Sequence, residues 1–314
     1  PNTIESIVTF LKKKGFTDQE IFKAGLSSQK DRGNGYFDRF RGRLMFPIND
    51  AQGYVVGFTA RVMPKTDGSD ANEAKYINTQ QTLLYNKSQI LFAFDKARAA
   101  IKKSGAAVIV EGNMDAISSH QVGVRNVVAS SGTALTLEQL QLLKRCTDRL
   151  IFSFDKDAAG ERAARRAVEV ARDAGFSLRV LELPAGSGKD PDDCIQKDPA
   201  LWQQAIKDAV PFLQWLILRT QERLDFNDPD QKKKAADELL QEVARFGDPV
   251  EQSHWIRVLS DLFHTPEAML FEKVRRMRQP STQNQPTGAP RAANDHNLTL
   301  SSHILSLLFS WPEL

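Results

Sequence analysis

The sequence predicts an α/β protein in three parts. These are a basic mixed α/β segment over 1–94, a parallel-sheet domain over 95–199 and a helical segment over 200–278. Three observations carry this. Short apolar runs alternate with helical patterns from Ala106 to Pro184, the signature of a parallel sheet covered on both faces. Before them, RLMFPI and GYVVGFTARV flank a polar Asn49-Asp50 turn and read as paired strands. After about residue 200 only helical periodicity remains.

Within the first part, residues 3–24 read as helical, with Ile4, Ile7, Val8 and Leu11 on one face, and 15–26 as a turn and short helix. Residues 64–74 are polar and predict a loop, and helical pattern returns near 89–104. In the second part the strands are 106–112, 126–132, 149–155 and 177–184. Helices separate them, one with Thr136 as its cap and one ending at Gly175. Helices are then expected over 200–224, 229–246 and 250–278. Residues 279–297 have no apolar periodicity and predict a flexible linker, and 298–314 resume an apolar helix too short to be a domain.

Composition narrows the class. The chain has 314 residues, 41% hydrophobic and 26% charged, as in a globular protein. No apolar run approaches membrane-spanning length, the opening PNTIESIVTF is not a signal peptide, and no membrane partner is expected. Cys146 and Cys194 are too far apart for a Cys-x-x-Cys site, so neither a disulfide framework nor zinc is expected, and a cytoplasmic location is the simplest reading. Net charge is only +3, but residues 30–103 hold 13 Lys/Arg against 7 Asp/Glu, which hints at a polyanionic partner.

The chemistry is concentrated in RLIFSFDKDAAG. An apolar strand ends in Asp155 and Asp157, which share one side of an extended chain. Two carboxylates about 4 Å apart repel by roughly 4 kcal/mol at an effective dielectric near 20. A divalent metal, an arginine or water could offset this. Glu111 ends an earlier strand, with Asp115 one turn later, and Asp190, Asp192 and Asp193 follow the fourth. All are oxygen donors beyond the carboxyl ends of strands, where open parallel sheets gather functional groups. Such a set suits Mg²⁺ or Mn²⁺ rather than zinc. Any one of these aspartates alone reads equally as a turn or cap. Glu-Gly-x-x-Asp after one strand and Asp-x-Asp-x-x-Gly after another form a joint pattern that favours function.

EGNMD (111–115) and DKDAAG (155–160) resemble the Toprim signature of primases, topoisomerases and some nucleases. YFDRFRGRLMFPI (36–48) resembles the arginine-rich segment of DnaG-type bacterial primases. GFTARV (57–62), KYIN (75–78), LYNK (84–87), VASSGTALT (128–136) and KDPDD (189–193) follow in that family's order. The resemblance runs from about residue 5 to 275. It departs at Asn113, where the family commonly has Tyr, at Lys156, where it has Gly, and in the longer GSGKDPDD turn.

The resemblance implies a DNA-dependent RNA polymerase that makes primers on single-stranded DNA from NTPs at the replication fork. It implies that Glu111, Asp155 and Asp157 are catalytic and hold Mg²⁺ or Mn²⁺, with Asp115, Asp190 and Asp192 completing the acidic surface. Arg39, Arg41 and Arg43 would alternate along one strand face and touch phosphates. Arg61, Lys75, Tyr76, Asn78 and Lys87 would contact template, RNA primer or nucleotide, with Tyr76 able to stack. The piece 298–314 resembles the start of a helicase-binding domain, so a DnaB-type replicative helicase is a possible partner. The rival readings are a Toprim-type nuclease and a non-catalytic single-stranded-DNA-binding module. All four tyrosines lie in the basic part, which argues against a topoisomerase.

Overall fold

The first helix of the structure, a computed structural model, is capped from a distant strand. Residues 6–30, 35–63, 74–132, 135–153 and 167–278 are described. They fall in two units, Pro1–Arg223 and Leu224–Leu314, taken in turn. Helix α1 (Ser6–Lys13) leaves its first N–H groups without intrahelical partners. Asp38, 1% exposed, accepts two of them, from Ile7 at 2.8 Å and Val8 at 2.9 Å. Within the helical stretch expected over 3–24, the turn and short helix read over 15–26 do form. Gly15, at φ +94°, breaks the stretch, and a Thr17–Glu20 capping box starts α2 (Asp18–Lys23).

Strands β1 (Ser27–Gln29) and β2 (Tyr36–Asp38) form an antiparallel pair. A separate antiparallel sheet holds β3 (Arg43–Asn49), β4 (Val55–Val62) and β5 (Tyr76–Asn78), with β4 central. The turn between β3 and β4 is fixed by Asp50, whose carboxylate accepts the N–H groups of Gln52 and Tyr54, both at 2.9 Å. The predicted alternation of Arg39, Arg41 and Arg43 along one strand does not occur. Only Arg43 is in a strand, because Phe40 is buried against Phe58 and Gly42, at φ +58°, turns the chain.

The second sheet has the order β10-β9-β8-β6-β7. Strands β6 (Ala107–Val110), β7 (Val127–Ala129), β8 (Arg149–Ser153) and β9 (Ser177–Leu181) are parallel, and the two-residue β10 (Val210–Pro211) closes one edge antiparallel. All four residues of β6 and all three of β7 are buried, as strands covered on both faces require. The helices are α3 (Phe94–Ser104), α4 (Asn113–Gln121), α5 (Leu137–Lys144), α6 (described over 167–173), α7 (Pro191–Lys197), α8 (Pro199–Lys207) and α9 (Phe212–Arg223). The one helix expected over 200–224 is divided by β10, whose Pro211 cannot continue α8.

Two features fasten the segment between the sheets to the parallel one. Phe92 exchanges both main-chain hydrogen bonds with Ala129 at the β7 edge, at 3.0 and 3.2 Å. The start of α5 holds the segment before it: Thr136 donates to Ser88 O at 2.5 Å, and Gln139 Nε2 to Lys87 O at 3.0 Å and Ile90 O at 2.8 Å. Gln139 is fully buried, so its amide must be satisfied, and these two carbonyls do so.

The second unit is helical: α10 (Pro229–Ala244), α11 (Pro249–Phe263) and α12 (Glu267–Arg278). Asp228-Pro229 and Asp248-Pro249 each place a capping carboxylate before a proline at the first helical position. The single helix expected over 250–278 is interrupted where His264 turns left-handed at φ +48° before Pro266. The expected loop at 64–74 lies almost wholly outside the described residues, and the linker 279–297 and the piece 298–314 wholly so. Among the described residues no helix is long and apolar enough to cross a membrane.

Candidate active site

The strand order fixes where a site can form. After β6 the chain moves to β7 on one side, then crosses back to β8 on the other side of β6. The connections diverge at the carboxyl ends of β6 and β8, the place where open α/β sheets bind ligands. A cleft of about 550 Å³ lies there within the first unit. Its walls bring together Arg61, Lys75, Tyr76 and Asn78 from the basic sheet with Glu111, Asp115, Asp190 and Asp192 from the parallel one.

The Glu-Gly-x-x-Asp motif divides into two jobs. Asp115, 8% exposed, accepts the N–H of Gly112 at 3.0 Å through Oδ2 and that of Asp192 at 3.0 Å through Oδ1. It caps α4 and ties it to α7. A Cβ at position 112 would lie 2.7 Å from Asp115 Oδ2, so a larger residue there would push the capping carboxylate aside. Glu111 is the residue left over. Its Oε1 is buried and has no hydrogen-bond partner among the described residues.

The fourth-strand cluster is arranged similarly. Asp190 caps α7, accepting from Asp193 N at 2.8 Å. Asp192 Oδ1 accepts from Ser118 Oγ at 2.5 Å and Gln196 Nε2 at 3.0 Å. Gly188, at φ +141°, would place a Cβ 2.6 Å from Asp193 Cβ, so the long GSGKDPDD turn depends on it.

A divalent metal fits this chemistry. All donors in the acidic wall are carboxylate or carbonyl oxygens, and Glu111 Oε1 is a buried acceptor in want of a cation. Among the described residues no three of Asp, Glu, His or Cys cluster closely enough to hold a metal on their own. Asp155 and Asp157 follow β8 in sequence and lie outside the described residues.

The facing wall is aromatic and cationic. The Arg61 guanidinium is 5.9 Å and the Lys75 ammonium 5.8 Å from the Tyr76 ring centroid. Burial raises the Tyr76 phenol pKa above its usual value; Arg61 opposes this, and Asp192, Asp115 and Asp190 add to it. The phenol therefore stays neutral.

Arg39, Arg41, Arg43 and Lys87 do not line the cleft. Arg39 donates to Asn78 O at 2.9 Å and so braces β5 from behind. Arg41 lies 4.8 Å from the Phe37 ring centroid, and Arg43 donates to Ala74 O at 2.7 Å. Lys87 sits in a single 3₁₀ turn, Lys87–Gln89.

Sequence reasoning missed Thr59, Asn113, Ser131 and Lys189, all of which line the cleft. Thr59 was accessible to it, being two residues from Arg61 on one strand face. Asn113 was noted only as a departure from the family. Ser131, left-handed at φ +59°, donates to Asn113 Oδ1 at 2.6 Å, a contact between the loop after β7 and the start of α4 that has no local signal.

Comparisons with known proteins give the family. The model for the N-terminal domain of the DNA primase catalytic core matches residues 1–98, and a Toprim-like model matches 108–195. A model for the DnaB-helicase binding domain of primase matches 213–268, upstream of the 298–314 piece where the sequence resemblance had put it. A DNA primase of Clostridium acetobutylicum is 34% identical over 281 residues, covering 88% of this chain and 45% of its own. One of Streptomyces coelicolor is 38% identical over 251 residues, covering 78% and 38%. The RNA polymerase domain of Mycobacterium tuberculosis primase DnaG, solved with double-stranded DNA, is 34% identical, with a TM-score of 0.71 and coverage of 85% and 84%. A DnaG primase catalytic domain bound to single-stranded DNA is 29% identical, with a TM-score of 0.70 and coverage of 86% and 83%. The chain belongs to the DnaG-type bacterial DNA primases, in the part that holds their Toprim-containing catalytic core. It spans about half the length of the curated relatives it matches.

Proposed function

We propose that this chain is the RNA polymerase core of a primase, extending RNA primers on single-stranded DNA from NTPs in the cytoplasm at the replication fork. The observation that carries the reading is a cleft with a cationic, aromatic wall facing a carboxylate whose buried oxygen has no partner among the described residues. Glu111, with Asp155 and Asp157, would hold Mg²⁺ or Mn²⁺. Such a metal, when bound, lowers the pKa of a hydroxyl nucleophile and screens charge on the leaving group.

In the reaction the primer 3′-hydroxyl attacks the α-phosphorus of the NTP and pyrophosphate leaves. Arg61 and Lys75 neutralise the triphosphate, and Tyr76 offers a face for stacking. Asn78 hydrogen-bonds the nucleotide. Asp115, Asp190 and Asp192 complete the acidic surface while holding α4 against α7. Arg39, Arg41, Arg43 and Lys87 serve the template–primer duplex through its phosphates, which gives affinity without sequence choice. The family match over 213–268 supports a DnaB-type helicase as a partner of this region.

The test is a titration of Mg²⁺–ATP into the wild type and Asp155→Ala. The reading expects binding at least tenfold weaker in the variant. Equally weak binding by both would favour a non-catalytic DNA-binding module.

A further inference from the structure

The register of β4 and β5 isolates one pair of side chains. Val62 N donates to Lys75 O at 3.0 Å and Thr79 N to Phe58 O at 2.8 Å, so these are hydrogen-bonded pairs. Bonded and non-bonded pairs alternate in an antiparallel ladder. Thr59/Asn78 and Arg61/Tyr76 are therefore non-bonded pairs, whose side chains approach most closely. All four residues line the cleft. Arg61 lies over Tyr76, but the other pair is incomplete. Thr59 Oγ1 and Asn78 Oδ1 are both buried, and neither has a hydrogen-bond partner among the described residues. Thr59 is 1% exposed, so water does not compensate its hydroxyl.

The two atoms are complementary, since a hydroxyl can donate and an amide oxygen only accepts. Their main chains are held. Arg39 donates to Asn78 O, and Phe58 N donates to Thr79 Oγ1 at 2.8 Å. Directly opposed side chains of a non-bonded pair have Cβ atoms about 4.5–5.5 Å apart, so rotation can bring this hydroxyl and this amide oxygen together. The orientation of the Asn78 amide also matters to any ligand. With Oδ1 inward, Nδ2 is left as the donor for the cleft. The reverse would add an acceptor to a cleft whose opposite wall already carries Glu111 and Asp192.

We propose that Thr59 is a positioning residue for nucleotide: its hydroxyl donates to Asn78 Oδ1 in the occupied cleft, fixing the amide with Nδ2 toward the acceptor oxygens of a nucleoside triphosphate. This rests on the polymerase reading above. Thr59 does not touch the nucleotide; it acts through Asn78.

The test is calorimetric binding of Mg²⁺–ATP to the full 314-residue chain in the wild type, Thr59→Val, Thr59→Ser, Asn78→Ala, Asn78→Asp and the Thr59→Val/Asn78→Ala double variant. Thr59→Val is expected to weaken binding about three- to tenfold, the range of one neutral hydrogen bond. Thr59→Ser should restore it to within about twofold, and Thr59→Val should have no further effect once Asn78 is Ala. The ligand-free Thr59→Val protein should melt no lower than the wild type, because the hydroxyl it removes is unpaired there. Asn78→Asp, which substitutes an anion for the donor, should bind ATP no better than Asn78→Ala, a result independent of how Thr59→Val folds. Unchanged binding by Thr59→Val, failure of rescue by Thr59→Ser, additive losses in the double variant or wild-type binding by Asn78→Asp would each overturn the inference. A wild type that does not bind ATP would overturn the polymerase reading and this inference with it.

Discussion

The carboxylate of Asp115 accepts the backbone N–H of Asp192 at 3.0 Å, across 77 residues of chain. The same carboxylate accepts the Gly112 N–H at 3.0 Å. One buried side chain thus sets the start of α4, the position of α7 and the spacing between two acidic segments of the cleft. Removing it leaves two N–H groups without partners in a largely buried place. Asp115→Ala should lower stability by about 2–3 kcal/mol, as lost hydrogen bonds to a charged acceptor do. Urea unfolding of the two proteins measures this directly. Gly112→Ala should destabilise by the same route, since its Cβ meets Asp115 Oδ2 at 2.7 Å.

Glu111 should behave in the opposite way. Its Oε1 is buried without a partner among the described residues, and a buried acceptor that makes no hydrogen bond costs the fold stability. Without metal, Glu111→Gln should melt at or above the wild-type temperature, while divalent-cation affinity falls at least tenfold. Calorimetry with Mn²⁺ and a thermal scan in chelator separate the two effects. A variant that loses stability but keeps its cation affinity would reassign Glu111 to structure.

Thr136 carries both the capping box of α5 and the bond to Ser88 O. Thr136→Ala should cost about 1–2 kcal/mol, the usual range for a lost N-cap. Hydrogen exchange should quicken in 87–92 as well as at the start of α5, because the same hydroxyl holds both.

Asn49 Nδ2 donates to Asp95 Oδ2 at 2.8 Å, joining the end of β3 to the first turn of α3. Burial pushes the Asp95 pKa up, but the hydrogen bonds from Asn49 and Lys96 outweigh it and leave it below the usual value. A depressed folded-state pKa contributes stability that is present above the unfolded value and lost as pH falls through the folded one. Stability should therefore drop below about pH 4, where an unfolded aspartate begins to protonate. Asp95→Asn should show a shallower drop in acid-unfolding curves.

The basic residues outside the cleft should act through phosphate charge. Arg41→Ala is expected to weaken single-stranded DNA binding uniformly across sequences and to reduce the log–log salt slope by about 0.7, one phosphate contact's worth. An unchanged slope would confine Arg41 to its contact with Phe37.

Most of the parallel sheet was legible because its strands are short, apolar and separated by helical patterns, one of them stopped by Gly175. The places of Glu111, Asp115, Asp190 and Asp192 in the fold were legible for the same reason: they follow strands. What distinguishes them was not. That Asp115 and Asp190 cap helices while Glu111 Oε1 has no partner among the described residues depends on contacts across the fold, such as Asp115 with Asp192, which no local pattern encodes. The arginines were misplaced for a related reason. Alternation predicts a strand, but the burial of Phe40 and the left-handed Gly42 turn the chain at that point. Similarly, His264 and Pro211 divide helices that periodicity alone runs together.

The most direct measurement is extension of an RNA primer annealed to single-stranded DNA, with NTPs and Mg²⁺ or Mn²⁺, by the wild type and Asp155→Ala. The account predicts template-directed, metal-dependent extension by the wild type and none by the variant. Degradation of the template, or no extension by either protein while single-stranded DNA is still bound, would contradict it.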